Sequence, residues 1–403
     1  MTATPLGPGW AATDSLNARA NKAHEQILTV WVALLSRRAQ GDSLDRAITC
    51  SIDTKFLAHG MNNLVLRVAF SDNVDWIARI QHTPADPSHA QEHKISMLSE
   101  IATMKTLNIR TTIPVPRVYA FDTSPANDFG FPCLLMEHLK GRILSSTIAS
   151  EVPAKYITHV VRQLANVLFQ LENLTFDELG RIWCGENCNE PPRIIPYEWD
   201  TDSLATPRTQ TSLEWFYELR QEQNRQALEK HAHDAEWKAA CWVLKTAISH
   251  IVVEDRVRGP FPLCHFDLHY GNLLFDDQYN LTGVIDWSRT ATAPLERLAV
   301  SPEFITFPAL PDQENQVIID FRDAVRGCLR EFEDEGRRSM PSDAQKTTLS
   351  DILGTVQAEI THRCTYSRPH RAVCDARLVS ALVYGTHVSW EQLVAVYGGI
   401  SPY

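Results

Sequence analysis

Four residues between positions 263 and 287 stand at spacings that suit one kind of chemistry. His265 and Asp267 flank a single residue, Asn272 follows Asp267 by five positions, and Asp286 closes the apolar run through Val284 and Ile285. Moving a phosphoryl group onto a hydroxyl needs a carboxylate that meets the hydroxyl and takes its proton. It also needs hard oxygen donors, here an amide oxygen and a second carboxylate, to hold Mg2+ against the phosphates. Asp267 suits the first task, and Asn272 with Asp286 the second. His265 reads as a brace for the loop backbone rather than a reactive group.

These residues need a frame. The runs 64–70 and 74–80 are rich in β-branched and aromatic residues, and Ser71, Asp72 and Asn73 between them make a turn, so an antiparallel hairpin is expected. A helix is expected near 90–108, and further strands over 113–119 and 131–136. Gly141 marks a break, after which the chain reads as mainly helical with one strand-rich island at 262–286. Ahead of all this, Ile27, Leu28, Trp31, Val32, Leu34 and Leu35 form one apolar helical face over 24–38, behind a loose polar arm at 1–22. The expected organisation is an arm and helix over 1–50, a β-rich unit over 51–139 and a larger helical unit over 140–403.

The spacing His265, Asp267, Asn272, followed by Ile285, Asp286 and Trp287, resembles the signature of the aminoglycoside phosphotransferase family, a kinase-like group that includes choline kinase-like relatives. Asp286-Trp287, where protein kinases carry Asp-Phe-Gly, points to the small-molecule branch, and the wider texture resembles its fungal members. The resemblance covers about 50–310 and implies an α+β, bilobal, protein-kinase-like fold. Its first lobe would hold an antiparallel sheet and one helix. It implies ATP and Mg2+ as cofactors and a small-molecule hydroxyl compound as partner. By the same resemblance, Gly60 and Asn63 lie in a loop covering the phosphates. Arg79 takes the place of a strand lysine that meets the α- and β-phosphates, and Glu100 pairs with it. The Glu137 carbonyl and the Leu139 N–H would meet the adenine edge. Three departures stand out: Arg79 itself, Phe266 where Gly is usual, and Ser288 where many relatives carry Glu. An arginine is a permanent, forked cation, so it binds phosphate with a geometry unlike that of an ammonium.

Other chemistries are weaker. His89, Glu92 and His93 match a zinc-peptidase pattern, but they fall where a helix begins after Pro84 and Pro87. Cys184 and Cys188 lack a second cysteine pair nearby. Glu214, Glu218 and Glu222 recur at i, i+4 on one helix over 212–230. They read either as an acidic wall for a cationic substrate or, more simply, as a solvated face. Two further readings of the whole chain stay open: a kinase-like binding or regulatory protein with little turnover, and a protein kinase, which lacks its Asp-Phe-Gly and Ala-Pro-Glu elements.

Composition bounds the partners. With 38 Lys and Arg against 49 Asp and Glu, the 403-residue chain carries a net charge of −11, so no general affinity for nucleic acid or anionic membrane is expected. No run of about 18 apolar residues exists, so no membrane span is expected. Nine scattered cysteines and the lack of a secretory leader suggest free thiols and a cytoplasmic location. No oligomeric state follows from the sequence.

Overall fold

In the computed structural model the described residues are 50–59, 63–81, 90–126, 131–145, 148–196, 210–302, 312–337, 346–366 and 369–403. The arm, the helix expected over 24–38, Gly60 and His89 lie outside them. The described residues form two compact units. The first holds those up to Lys105 with Pro116–Leu139. The second holds Thr106–Val115 and Lys140–Tyr403.

The first unit is built on β1 (Cys50–His59), β2 (Asn63–Phe70), β3 (Asp75–Gln81), β4 (Val118–Asp122) and β5 (Cys133–Glu137), in the order β1-β2-β3-β5-β4 with antiparallel neighbours throughout. Strand β2 shows why this sequence makes a sheet. Leu64, Leu66, Val68 and Phe70 are buried and the residues between them are not, the period-two pattern of a strand with one covered face. The β2–β3 turn closes through Asn73 at φ 63°, a left-handed conformation that Asn tolerates. Trp76 on β3 anchors the core, edge-on to Phe70 and stacked on Tyr119 at 4.3 Å. Helix α1 (Ala90–Arg110) buries Ile95, Leu98, Ile101 and Ala102 at helical spacing. The strand expected over 113–119 begins only at Val118. Pro114 and Pro116 have no N–H to give a ladder, and the stretch before Val118 bonds elsewhere: the Pro114 carbonyl accepts from Val284 N–H at 2.8 Å.

The second unit is mainly helical. Gly141 (φ 145°) sits where a side chain would run into Thr282 and the Phe275 carbonyl, and Arg142 exchanges two backbone bonds of 2.9 Å with Phe275. Helix α2 (Ala154–Asn173) buries Val160, Val161, Leu164, Leu168 and Leu171 along one stripe. Short strands β6 (Thr175–Phe176), β9 (Phe261–His265) and β12 (Thr290–Thr292) form one small sheet with β9 at its centre. Hairpins join β7 (Arg181–Trp183) to β8 (Arg193–Ile195) and β10 (Leu273–Phe275) to β11 (Leu281–Val284). Strands β6, β7, β8 and β12 fall outside the expected island; at two or three residues each they are too short for alternation to register. Helices α3 (Ser212–His231), α4 (Ala235–Thr246), α5 (Asp312–Arg337), α6 (Val356–Tyr366), α7 (Ala372–Tyr384) and α8 (Trp390–Tyr397) complete the unit. Thr211 caps α3 in a reciprocal box with Glu214, and Ser389 caps α8 likewise with Gln392. A core of Phe216, Leu228, Leu244, Ile251, Ile360 and Val379, among others, joins α3, α4, α6, α7 and α8. Among the described residues no helix is long and apolar enough to cross a membrane.

Candidate active site

Strand β9, buried along its whole length, ends on His265, which is fully buried. The His265 ring holds two pieces of backbone. Its Nε2–H donates to the Ile285 carbonyl at 3.1 Å, and its Nδ1 accepts from the Asp267 N–H at 3.2 Å. One ring nitrogen donates and the other accepts, so the imidazole is neutral. Burial agrees, holding its pKa below the usual histidine value. The Ser301 hydroxyl bonds the His265 carbonyl, and the Trp287 ring lies 4.8 Å away.

Beyond His265 the loop folds over its own carbonyls. The Asp267 carbonyl accepts from His269 N–H at 3.1 Å and from the Asn272 side-chain amide at 2.8 Å. Residues Tyr270–Asn272 make one turn of 3-10 helix, in which a side chain at Gly271 would strike the His269 ring at 2.8 Å. Asn272 then leads into β10. The pairing Leu273 with Val284 and the 3.0 Å bond from Ile285 N–H to the Asn272 carbonyl set Asn272 beside the end of β11. Asp286 follows at once, exposed and left-handed at φ 60°, ψ 61°, and its Oδ1 accepts from the Ser288 hydroxyl at 2.6 Å. Behind it Trp287, 1% exposed, donates to the Val284 carbonyl at 2.9 Å.

The arrangement fits a hard cation. The Asp267 carbonyl can only accept, so the N–H2 end of the Asn272 amide must face it, and the oxygen end is left as a donor to a metal. An amide oxygen and an exposed carboxylate are the ligands Mg2+ takes beside water and substrate phosphates. Among the described residues no group of three or more His, Cys, Asp or Glu side chains is placed to hold a metal.

In the first unit, Arg79 lies in the middle of β3 between Val65 and Leu134. Its guanidinium forks onto Glu100 of α1: Nη1 reaches Oε1 at 2.7 Å and Nη2 bonds Oε2. Both residues are buried. Two parallel charge-assisted bonds fix the plane of the guanidinium as a lysine contact would not. Asn63 opens β2 opposite Gln81. Glu137 closes β5, and its carboxylate accepts from the Arg117 N–H at 3.2 Å, so its side chain is part of the strand's own bonding. Leu139 follows, half-buried.

Asp267 also faces a cavity of about 640 Å3 inside the second unit. Part of its wall comes from His362 and Tyr366 of α6 and from His370 and Arg371 before α7. The sequence reading missed this wall. The signals were present: His362 and Tyr366 stand at i, i+4, and Arg368, His370 and Arg371 are basic neighbours. The Glu214 and Glu222 carboxylates bond locally instead, in the α3 capping box and to Arg225 at 2.5 Å, on an exposed helix face. Phe216 belongs to the helical core.

Comparison with known proteins adds the following. The phosphotransferase enzyme family matches residues 53–299. A protein of Debaryomyces hansenii named altered inheritance of mitochondria protein 9, mitochondrial, is 26% identical over 156 residues, 37% of this chain and 24% of that protein. A subtelomeric hrmA-associated cluster protein of Aspergillus fumigatus is 30% identical over 131 residues, 32% of this chain and 25% of that one. The chain thus matches only about a quarter of the length of these curated relatives. Among solved structures, the GDP complex of wild-type aminoglycoside 2'-phosphotransferase-IIIa aligns with 92% of this chain and 98% of its own, at TM-score 0.47 and 15% identity. The mitochondrial relatives overturn the expected cytoplasmic location. The expectation leaned on scattered cysteines, and free thiols do not separate the cytoplasm from other reducing compartments.

Proposed function

Because the chain belongs to the phosphotransferase enzyme family, with its protein-kinase-like fold, we propose that it transfers the γ-phosphoryl group of ATP to a hydroxyl of a small molecule in a Mg2+-dependent reaction. The observation that carries this reading is the bonding of the loop from His265 to Asp286. Neutral His265 ties Ile285 to Asp267, and the Asn272 amide closes the loop through its N–H2 end.

In this reading residues 51–139 bind the nucleotide, and residues 140–403 supply the catalytic loop and the acceptor site. Arg79, held in plane by Glu100, meets the α- and β-phosphates. Gly60 and Asn63 contribute to the loop that covers them, and the Glu137 carbonyl and Leu139 N–H bond the adenine edge. Asn272 and Asp286 hold the metal, which would neutralise charge on the phosphates. Asp267 orients the acceptor hydroxyl and takes its proton. Alignment and charge compensation supply most of the rate, since phosphoryl transfer asks little covalent chemistry of the protein.

The test uses γ-labelled ATP, Mg2+ and a panel of neutral, acidic and basic alcohols. Label should move to a small molecule, and the transfer should be lost in Asp267→Asn. A second reading, a nucleotide-binding protein with little turnover, draws support from Arg79, two of whose N–H donors are already taken by Glu100. Label that stays on ATP with every alcohol, while Mg·ATP binds, would favour it.

A further inference from the structure

The cavity beside Asp267 carries information about the acceptor. It is built within the second unit, and Asp267 is the one acid on its wall among the described residues. The same wall carries nitrogen donors. The Nδ1 of His269 accepts from the Gly271 N–H at 3.0 Å, so the neutral ring carries its proton on Nε2 and acts as a donor there. Arg371 is half-exposed and tethered at 3.4 Å to Asp375, which is itself buried and 3.8 Å from Arg363. Asp375 is therefore shared between Arg371 and Arg363. His370 next to Arg371 is exposed.

A third arginine stands behind the wall. Arg297 lies over the rings of Phe266 and Tyr366, at 4.9 and 4.3 Å, and donates to the Tyr366 hydroxyl at 2.8 Å. Burial first, and then the charges of Arg363, Arg297 and Arg371, push the His362 pKa down to about 3. The nearby acids are engaged. Glu359 faces Arg363 at 3.7 Å, and Glu296 accepts from the Val253 N–H. An ammonium beside Arg371 would meet a like charge, while an acid group there would gain charge-assisted bonds. Phe266, Leu268, Tyr270 and Tyr366 offer flat apolar surface for the rest of the molecule.

We propose that the acceptor is a hydroxy compound with an aromatic or apolar body and an acidic group, carboxylate or phosphate, which Arg371 and His370 hold while its hydroxyl faces Asp267. This rests on the phosphotransferase reading and narrows its substrate class. In the step, the acceptor oxygen forms a bond to the γ-phosphorus of ATP and its proton passes to Asp267. The bond from that phosphorus to the β–γ bridging oxygen breaks, and its electron pair leaves with ADP.

The test is calorimetric titration of the full chain, saturated with a non-hydrolysable ATP analogue and Mg2+, with four probes of similar body. These are 3-phenyllactate, phenyl phosphate, 3-phenyl-1,2-propanediol and phenylalaninol. One or two charge-assisted bonds correspond to a preference for the acids over the amine of about tenfold or more. That preference should fall to within about threefold in Arg371→Gln, the loss expected when one forked contact goes, and should weaken in His370→Gln. The tighter of phenyllactate and phenyl phosphate assigns the acid group. The proposal is overturned if the amine binds as well as the acids. It is overturned equally if neither acid binds at millimolar concentration, or if the preference survives both variants. Mg·ATP titrated alone into the same protein separates the two claims. Absent nucleotide binding removes the phosphotransferase reading, whereas bound nucleotide with an amine-preferring cavity removes only the acid acceptor.

Discussion

The two charged sets assigned to phosphate chemistry are built in opposite ways. Arg79 and Glu100 are buried, and each answers the other through a fork. Asp286 is exposed and left-handed, with one oxygen on a neighbouring hydroxyl, and the loop before it is held almost wholly through backbone. A buried pair is complete before any ligand arrives, so breaking it costs stability first. An exposed carboxylate on a braced loop contributes little to folding, so changing it costs function first. The contrast predicts that substitutions in the two places fail in different assays.

The largest effect is expected at the loop. Asp267→Asn keeps shape and removes the proton acceptor, so transfer should fall by about 10²–10⁴ while unfolding and Mg·ATP binding stay near wild type. Stopped assays with labelled ATP alongside thermal unfolding check both halves. Equal losses in the two assays would break the contrast. Glu100→Ala should do the reverse, leaving a buried guanidinium short of its carboxylate at a cost of about 3–5 kcal/mol in denaturant unfolding. Ser288→Ala frees one Asp286 oxygen without touching the core. The Mg2+ concentration for half-maximal transfer should shift severalfold, with the melting temperature unmoved.

The smallest effect sharpens the comparison with a buried carboxyl that has no forked partner. Glu172 accepts from the Leu349 N–H at 2.9 Å and faces Glu333, and burial first, then the Glu333 charge, pushes its pKa well above the carboxylate range. The folded state then holds a proton that the unfolded chain gives up above about 4.5. Stability from this site is therefore full below that pH and lost as pH rises toward the folded value. Glu172→Gln should flatten that decline, gaining on the order of 1 kcal/mol at pH 8 over the native chain, and leave acid stability unchanged. Chemical denaturation at pH 5 and pH 8 measures it.

Much of the loop was legible because its chemistry is written in local spacing: His265, Asp267, Asn272 and Asp286 lie within one short stretch. The hairpin of β2 and β3 was legible through the alternation of Leu64, Leu66, Val68 and Phe70. The strand expected over 113–119 was lost to two prolines, whose missing N–H outweighs the β-branched residues around them. Strands β6 and β12 exist through pairing with β9, as Thr290 with His265, and β7 and β8 through pairing with each other, rather than through their own composition. The part of the cavity wall that carries Arg371 was hidden for a similar reason. His362 and Arg371 lie about a hundred residues beyond the loop, and only packing of α6 brings them to it. The acidic spacing on α3 agrees with the simpler reading as a solvated face, with Glu214 in the capping box and Glu222 paired with Arg225.

The measurement that bears most directly on the central claim is thermal stabilisation by ATP, with and without Mg2+, in the wild type and in Asp286→Ala. A ligand that binds the folded state alone raises the melting temperature, by an amount that grows with the logarithm of its concentration over its Kd. The account predicts a shift in the wild type that requires Mg2+ and disappears in Asp286→Ala. A shift of equal size with and without Mg2+, or one that survives in the variant, would contradict it.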